Sequence, residues 1–132
     1  MFKAVAAFSG FSVKDSKEGK DFYSNILGLK VEDNKEGGAL DLYLPGGAKV
    51  FVYPKGNHEP ATYTVLNLII ENIDESVDAL VAKGVTFEQY DFPGFKTDEK
   101  GILRGLDAGK GPSIAWFKDP SGNIFSVLQD KK

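Results

Sequence analysis

The sequence contains no cysteine and only one histidine among its 132 residues. Without cysteine there is no disulfide framework, no thiolate nucleophile and no cysteine-ligated zinc or iron–sulfur centre. The single histidine, His58, lies in a segment rich in Gly, Asn and Pro that we expect to connect two halves of the chain. We predict a solvated linker residue there, because a lone histidine without a fixed partner does not make a general base.

Long apolar runs and clustered positive charge are also missing. No apolar stretch approaches the roughly 18 residues that cross a bilayer, and Met1 to Phe8 lacks the h-region and cleavage site of a signal peptide. The Lys and Arg residues are scattered through a chain of formal net charge −3, so no basic stripe is available to neutralise phosphates. We therefore expect a cytoplasmic protein that binds neither membranes nor nucleic acid.

What the sequence does contain is enough apolar residues for one packed core. A hydrophobic fraction of 42% and an aromatic fraction of 12% are typical of an ordinary globular protein and differ from disordered compositions. A chain of this length buries a single core but is too short for two independent ones. We predict one domain over residues 1–132.

The first half of the chain alternates between strand-like and helix-like patterns in the order βαβββ. Its helix, Lys17 to Leu27, follows a candidate Asp or Ser cap, gathers apolar residues near one face and stops at Gly28. Turn-forming Gly and Pro residues separate the strand-like runs. The predicted strands are Ala4 to Val13, Leu29 to Asn34, Ala39 to Leu44 and Lys49 to Tyr53.

The second half repeats this order. Its predicted helix, Asp74 to Lys83, is closed by Gly84, and its predicted strands are Thr62 to Ile70, Val85 to Phe92, Ser113 to Phe117 and Asn123 to Gln129. The pattern indicates the α+β class, with two βαβββ modules in tandem whose curved mixed sheets surround a concave cavity. We place the half-modules at residues 1–57 and 61–132.

The spacing of equivalent positions locates an insertion in the second half. Gly28 and Gly84 lie 56 residues apart, whereas Pro45 and Pro120 lie 75 apart. The difference falls on residues 93–112, which are rich in Gly and charge and poor in periodicity. A connection of this length inside a compact domain is usually functional or disordered. We weigh a lid over a binding site against a mobile surface excursion and leave both open.

Two motifs around this repeat resemble those of a known family. The first motif is Phe8-Ser9-Gly10-Phe11-Ser12-Val13-Lys14-Asp15, followed by a helix that carries Phe22-Tyr23 and ends in Leu27-Gly28-Leu29. It resembles the opening of vicinal-oxygen-chelate domains, the glyoxalase and bleomycin-resistance group. Phe117-Lys118-Asp119-Pro120-Ser121-Gly122-Asn123 is similar to their closing strand-turn-strand segment. The resemblance covers nearly the whole chain and implies the fold, but a fold by itself does not fix a function.

The resemblance also implies where a metal would bind. The superfamily holds a divalent metal with four side chains, one from the first and one from the last strand of each half. These positions fall on Phe8, Phe51, Val65 and Ser126, and their immediate neighbours offer no His, Glu or Gln either. Divalent metals need imidazole or carboxylate donors. We therefore predict that this variant binds no metal and needs no cofactor.

The same positions describe a cavity instead. Because side chains two apart on a strand share a face, the inward-facing set should also include Lys49, Tyr53, Tyr63 and Asn67. Trp116 could reach the same space, and Arg104 could fold inward to meet an anionic ligand. An aromatic concavity with a few polar groups is typical of small-molecule pockets; plain core packing of the same rings is the alternative. The predicted ligand-binding residues are Phe8, Lys49, Phe51, Tyr53, Tyr63, Val65, Asn67, Trp116, Ser126 and Arg104.

Three functions remain open on this basis. The first is a metal-independent binding protein that encloses a small, partly apolar organic molecule, as sequestering resistance proteins of the superfamily do. The second is a metal-free lyase, isomerase or hydrolase that uses Ser126, Tyr53, Tyr63 or Lys49 as acid or base. The third, a metal-dependent glyoxalase or dioxygenase, conflicts with the missing ligands. The resemblance further implies a homodimer, and no catalytic residue can be assigned.

Overall fold

The computed structural model describes residues 1–132, and these divide into two compact units, Met1–Pro60 and Ala61–Lys132. Each unit contains a four-stranded sheet that includes both parallel and antiparallel neighbours. Helices are few, and the longest has 10 residues; none combines the length and apolar character of a transmembrane helix. The predicted α+β class with tandem modules is confirmed.

The first unit has the order βαβββ. Its elements are β1 (Ser9–Val13), α1 (Ser16–Asp21), a π-helical turn (Phe22–Ile26), β2 (Lys30–Asp33), β3 (Leu40–Tyr43) and β4 (Lys49–Pro54). In the sheet the strands lie in the order β1-β4-β3-β2, with β1 and β4 parallel. The module therefore closes by bringing its first and last strands side by side.

Local signals explain where the helix of this unit starts and stops. The Asp15 carboxylate accepts hydrogen bonds from the backbone N–H groups of Lys17 and Glu18 at 2.9 and 3.1 Å, which satisfies donors that the first turn leaves free. After the π-helical turn the chain reaches Gly28 at φ +70°, a left-handed conformation that glycine adopts without steric cost.

Strict alternation along β4 separates the core from the opposite sheet face. Val50 and Val52 are buried, whereas Lys49 and Tyr53 are exposed and Phe51 is half-buried. Val13 and Tyr23, both 0% exposed, belong to the same core. The face of the first sheet that carries Phe51 is consequently the one left for other contacts; we call it the Phe51 face.

The second unit builds a sheet of the same kind. Its elements are β5 (Thr64–Ile69), α2 (Ile73–Ala82), β6 (Asp91–Phe92), β7 (Phe95–Lys96), β8 (Ile102–Arg104), α3 (Gly105–Ala108), β9 (Ser113–Lys118) and β10 (Ile124–Gln129). The large sheet has the order β5-β10-β9-β8, and β6 pairs only with β7. Helix α2 begins after Asn72, whose side chain accepts a hydrogen bond from the N–H of Glu75, and packs against β9 and β10.

The predicted strand over residues 85–92 forms only at Asp91–Phe92, and residues 93–112, which we described as an inserted loop poor in periodicity, contain β7, β8 and α3. Residues 85–90 contribute only an isolated bridge, Phe87 to Phe117, and the outer strand of the sheet is β8, inside the supposed insertion. Ile102 of β8 is 0% exposed and pairs with Ala115. A strand of three residues is too short to display alternation, so its signal was hidden among Gly and charged residues.

Two further boundaries differ from the prediction. The first strand starts at Ser9 rather than Ala4, and residues 1–8 are exposed and lie outside any strand. The predicted helix over residues 17–27 is divided into α1 and the π-helical turn. The first difference concerns an element end, where sequence patterns are weakest; the second lies inside the predicted helix, because the backbone changes to π-helical geometry at Phe22.

Candidate functional site

The four positions that would hold a metal offer it no imidazole or carboxylate ligand. Phe8 precedes β1 and is 71% exposed, Phe51 lies on β4, Val65 on β5, and Ser126 is fully buried on β10. Nowhere in the structure do three or more His, Cys, Asp or Glu side chains gather in an arrangement that could bind a metal ion. Phenyl and isopropyl groups have no lone pairs to donate, and the Ser126 hydroxyl is neither an imidazole nor a carboxylate, so these residues do not fit the divalent metal of the superfamily.

In the second unit, Ser126 and Asn67 form a polar pair in place of a metal ligand. They are register partners on the parallel strands β10 and β5, and the Ser126 hydroxyl donates to Asn67 Oδ1 at 2.5 Å. Ser126 is 0% exposed, whereas Asn67 is exposed. The buried hydroxyl is thus satisfied by a side chain that also reaches the surface of the sheet.

Trp116 lies on the same sheet face as this pair. It is the register partner of Ser126 across β9 and β10, and its indole N–H donates to the Thr64 hydroxyl at 3.1 Å. An indole N–H that finds a partner can be held in one orientation while its ring surface stays available for apolar contacts. We call the face that carries Thr64, Asn67, Trp116 and Ser126 the Trp116 face.

Three more rings pack with Trp116 into an aromatic cluster. The ring centroids of Tyr90 and Phe95 lie 5.5 and 5.4 Å from that of Trp116, and Phe92 lies 6.2 Å from Tyr90 and 6.3 Å from Phe95. These separations are in the range that favours aromatic pairs. Phe92 remains 59% exposed, so the cluster presents a ring to solvent.

A small hairpin supplies Phe92 and Phe95 to the cluster. It consists of β6 and β7, joined by Pro93 and Gly94, with Gly94 at φ +75°. Its base is closed by Thr97, whose hydroxyl accepts a hydrogen bond from the backbone N–H of Tyr90. Burial, with a smaller contribution from Glu88 and an opposing one from Lys118, raises the pKa of the Tyr90 phenol. The phenol therefore stays neutral at physiological pH.

The predicted alternation through Tyr63, Val65 and Asn67 is wrong. The register between β5 and β10 shifts between Ile124 and Phe125, which leaves Val65 without a partner on β10. Such a bulge moves the side chains of the residues before it to the opposite face of the sheet. Thr64 rather than Val65 therefore contacts Trp116. Tyr63 precedes the strand and is 68% exposed.

The Phe51 face of the first unit brings three of the predicted rings together. Phe8 packs edge-on against Phe51 at 6.1 Å, and Tyr53 stacks on Phe51 at 5.8 Å. Next to them lies a cavity of about 350 Å³ lined by Phe8, Asn34, Glu36, Asp41, Lys49 and Phe51. Asn34, Glu36 and Asp41 were not among the predicted ligand-binding residues, although Asp41 alternates with two buried leucines on β3.

Arg104 lies elsewhere, and the prediction that it faces a ligand in the cavity is wrong. It pairs in register with Ser113 on β9, which alternation places on the face opposite Trp116. Its guanidinium contacts Asp74 at 2.7 Å and Asp98 at 2.9 Å. The hydrogen bonds from Arg104 and Lys100 hold the pKa of Asp74 well below its usual range. The charge of Arg104 thus links β8 to the start of α2.

His58 also differs from its prediction as a solvated residue. It is half-buried, and its Nδ1 lies 2.7 Å from the Ser12 hydroxyl on β1. Ser12 is the register partner of Tyr53, so this pair lies at one end of the Phe51 face. Nothing in the sequence spacing of 46 residues signals the contact.

Comparisons with known proteins agree with this architecture. The family model of the Glyoxalase/Bleomycin resistance protein/Dioxygenase superfamily matches residues 5–127. A putative glyoxalase family protein from Bacillus anthracis has a similar structure, with a TM-score of 0.68 and 16% identity over 99% of this chain and 100% of that chain. A search of curated proteins finds no match.

Two other solved structures with this fold come from proteins connected with antibiotics. The fosfomycin resistance protein FosX from Listeria monocytogenes has a TM-score of 0.69 and 15% identity, over 98% of this chain and 93% of that chain. TnmS3, an antibiotic binding protein from Streptomyces sp. CB03234, has a TM-score of 0.63 and 20% identity, over 98% and 99% of the two chains. At these identities the likeness concerns the fold.

Proposed function

Because this chain belongs to the Glyoxalase/Bleomycin resistance protein/Dioxygenase superfamily, we propose that it binds a small, partly aromatic organic molecule on the Trp116 face, without a metal. The observation that carries this proposal is the aromatic cluster beside the Ser126–Asn67 pair. Rings supply apolar contact area, and a few polar groups fix orientation, which is the usual composition of a ligand pocket.

The chemistry of the face defines the ligand further. A planar ring can pack against Phe92 and Trp116, since aromatic contacts are favourable at centroid separations of about 4.5–7 Å. A polar group at one end of the ligand can exchange hydrogen bonds with the exposed amide of Asn67, whose oxygen already accepts from Ser126. An antibiotic binding protein and a fosfomycin resistance protein of the same fold support a search among antibiotics.

Intrinsic fluorescence tests the proposal directly because Trp116 is the only tryptophan in the chain. A thermal-shift screen of planar aromatic antibiotics identifies stabilising compounds, since a ligand that binds the folded state raises the melting temperature. We expect such a compound to change Trp116 emission with saturation. Phe92→Ala should weaken its binding by about threefold to tenfold, because one aromatic contact contributes roughly 0.5–1.5 kcal/mol.

The matched control is Val81→Ala, which removes another exposed apolar side chain, 53% accessible, from helix α2, outside the sheet that carries Trp116. Equal affinities for Phe92→Ala and Val81→Ala would contradict binding at the aromatic cluster. So would a stabilising compound that leaves Trp116 emission unchanged at saturation.

Metal independence is part of the same proposal. Its support is the donor set at the four superfamily positions, where no imidazole or carboxylate is available. We expect elemental analysis of purified protein to find no stoichiometric Mn, Fe, Ni or Zn, and we expect these ions not to raise the melting temperature. About one metal per chain would contradict the proposal.

An enzymatic function is the second candidate, and the contact between Ser12 and His58 favours it. A serine hydroxyl 2.7 Å from a histidine nitrogen has the geometry of a nucleophile with its base. If the pair acts in this way, the protein hydrolyses an activated ester such as p-nitrophenyl acetate, and both Ser12→Ala and His58→Gln lose that activity. Turnover no faster than that of these variants would leave the contact a structural one.

We also propose that the protein is a homodimer, as the superfamily resemblance implies. Light scattering at micromolar concentration should give about twice the 14.4 kDa of one chain. A mass near that of a single chain would contradict this assembly.

A further inference from the structure

The cavity on the Phe51 face has a hydrogen-bonded polar rim. The Asn34 side-chain amide donates to both oxygens of Asp41, at 3.0 and 3.2 Å, and its own carbonyl oxygen accepts from the N–H of Glu36 at 2.9 Å. Backbone hydrogen bonds from Asn34 to Ala39 and from Ala39 to Glu36 close the same loop. The Asp41 carboxylate is thus held in a fixed orientation at the edge of the cavity.

The carboxylates of this rim lack a cationic partner, unlike their neighbours on the same strands and loop. Asp33 pairs with Lys20 at 3.1 Å and Glu32 with Lys30 at 3.7 Å. No Lys, Arg or His nitrogen lies within 4.0 Å of Asp41 or Glu36. Two negative charges without an ion pair therefore border a cavity of about 350 Å³, and Lys49 is the one positively charged residue of its lining.

The opposite wall of the cavity is aromatic. Phe51 is half-buried between Tyr53, which stacks on it, and Phe8, which meets it edge-on. Phe8 is 71% exposed, so its ring is available to a ligand without any rearrangement of the core. Ring faces attract cations, and the attraction adds to that of a nearby carboxylate.

We propose that this cavity binds a small organic monocation, an ammonium group attached to an apolar body. The ammonium interacts with Asp41 and Glu36, and the apolar body packs against Phe8 and Phe51. This inference goes beyond the proposed function, because it concerns the first unit and a ligand charge that the Trp116 face does not specify.

Lys49 allows a test of the charge of the ligand that the cavity binds. It also lines the cavity and forms no ion pair within 4.0 Å, but it is exposed and its long side chain can extend into water. A bound cation would be repelled by Lys49, whereas a bound anion would be attracted. Lys49→Met should therefore strengthen binding of a cation by about twofold to fivefold.

The experiment compares three probes that carry the same phenyl ring but differ in charge at pH 7. These are 2-phenylethylammonium, the neutral 2-phenylethanol and the anionic 3-phenylpropanoate, titrated into the full-length protein and followed by ¹H–¹⁵N correlation spectra. We expect 2-phenylethylammonium to bind most tightly and to shift the signals of residues 34–41 and 49–51. Added salt should weaken the binding, since exposed charges are screened.

Variants locate the binding site. Asp41→Asn is expected to weaken binding of 2-phenylethylammonium by about threefold to tenfold, and Phe8→Ala by about twofold to fivefold. Asp130→Asn is the matched control, because it makes the same charge change at an exposed residue near the C-terminus. The control should bind as the unmodified protein does.

The result also separates this site from the Trp116 face. The single indole N–H signal of Trp116 reports the second unit, so it should stay unchanged if the probe occupies the first-unit cavity. Three results would each overturn the proposal: equal or tighter binding of 2-phenylethanol or 3-phenylpropanoate, equal losses of affinity in Asp41→Asn and Asp130→Asn, or no shift of the spectrum at about 10 mM probe. None of them bears on antibiotic binding at Trp116.

Discussion

Replacing Ile102 by alanine tests whether residues 93–112 belong to the core. Ile102 is 0% exposed, and its register partner Ala115 is equally buried. The substitution removes three buried carbons at about 0.8 kcal/mol each, and a residual cavity adds up to about 2 kcal/mol if the neighbours do not move inward. Because β8 lies at the edge of its sheet and can relax, we expect a loss of about 2–4 kcal/mol in the free energy of unfolding.

Urea denaturation followed by circular dichroism measures this loss. The denaturation midpoint should fall while the slope stays unchanged, which indicates that stability has changed and not the surface exposed on unfolding. The control is Val81→Ala on α2, where the side chain is 53% exposed and the expected change is within about 0.5 kcal/mol. A loss below about 0.5 kcal/mol for Ile102→Ala would refute the placement of β8 in the core and restore the interpretation of a surface excursion.

Three other substitutions, one of them compared with a control, test single contacts. Asp98→Asn should destabilise the protein at pH 7 and less so below about pH 4. Burial opposes ionisation of Asp98, but hydrogen bonds from the backbone N–H of Ile102, from Arg104 and from the Lys100 N–H lower its pKa overall, so the stabilisation by the carboxylate is lost as pH falls through that lowered pKa. A pH-independent difference in unfolding free energy would contradict this. Gly105→Ala should lower the free energy of unfolding by more than about 2 kcal/mol, since a Cβ would lie 2.1 Å from the Pro112 oxygen. Its control is Gly109→Ala, at φ +66° in open space, which should lower it by about 1 kcal/mol. Equal melting temperatures of the two variants would argue against the close approach at Gly105. Thr64→Val should shift Trp116 emission and cost about 1 kcal/mol; an unchanged spectrum would mean that the indole hydrogen bond does not form.

Much of the architecture could be predicted because its signals are local. The alternation of Val50 and Val52 with Lys49, Phe51 and Tyr53 along β4 assigns one sheet face to the core. An aspartate before α1 and glycines after the helices bound them for reasons of hydrogen bonding and backbone sterics. The absence of imidazole and carboxylate donors at the superfamily positions is likewise a property of the sequence.

The candidate sites depend on contacts between residues far apart in the chain. Thr64 meets Trp116, separated by 52 positions, because a bulge on β5 reverses the alternation that the sequence pattern implies. Arg104 meets Asp74 because β8 joins the sheet beside α2. Neither contact follows from spacing, since both depend on strand register and on how the helix packs.

The sequence by itself therefore determined the order of strands and helices in the first half, the repetition of the module and the chemistry that the superfamily positions lack. Only the tertiary structure decided which side chains come together: the rings of Tyr90 and Phe95 beside Trp116, and the carboxylate of Asp41, which forms no ion pair, beside Phe51. The physical reason is that periodicity reports which face of an element is buried, whereas a binding site depends on the register and packing of several elements at once.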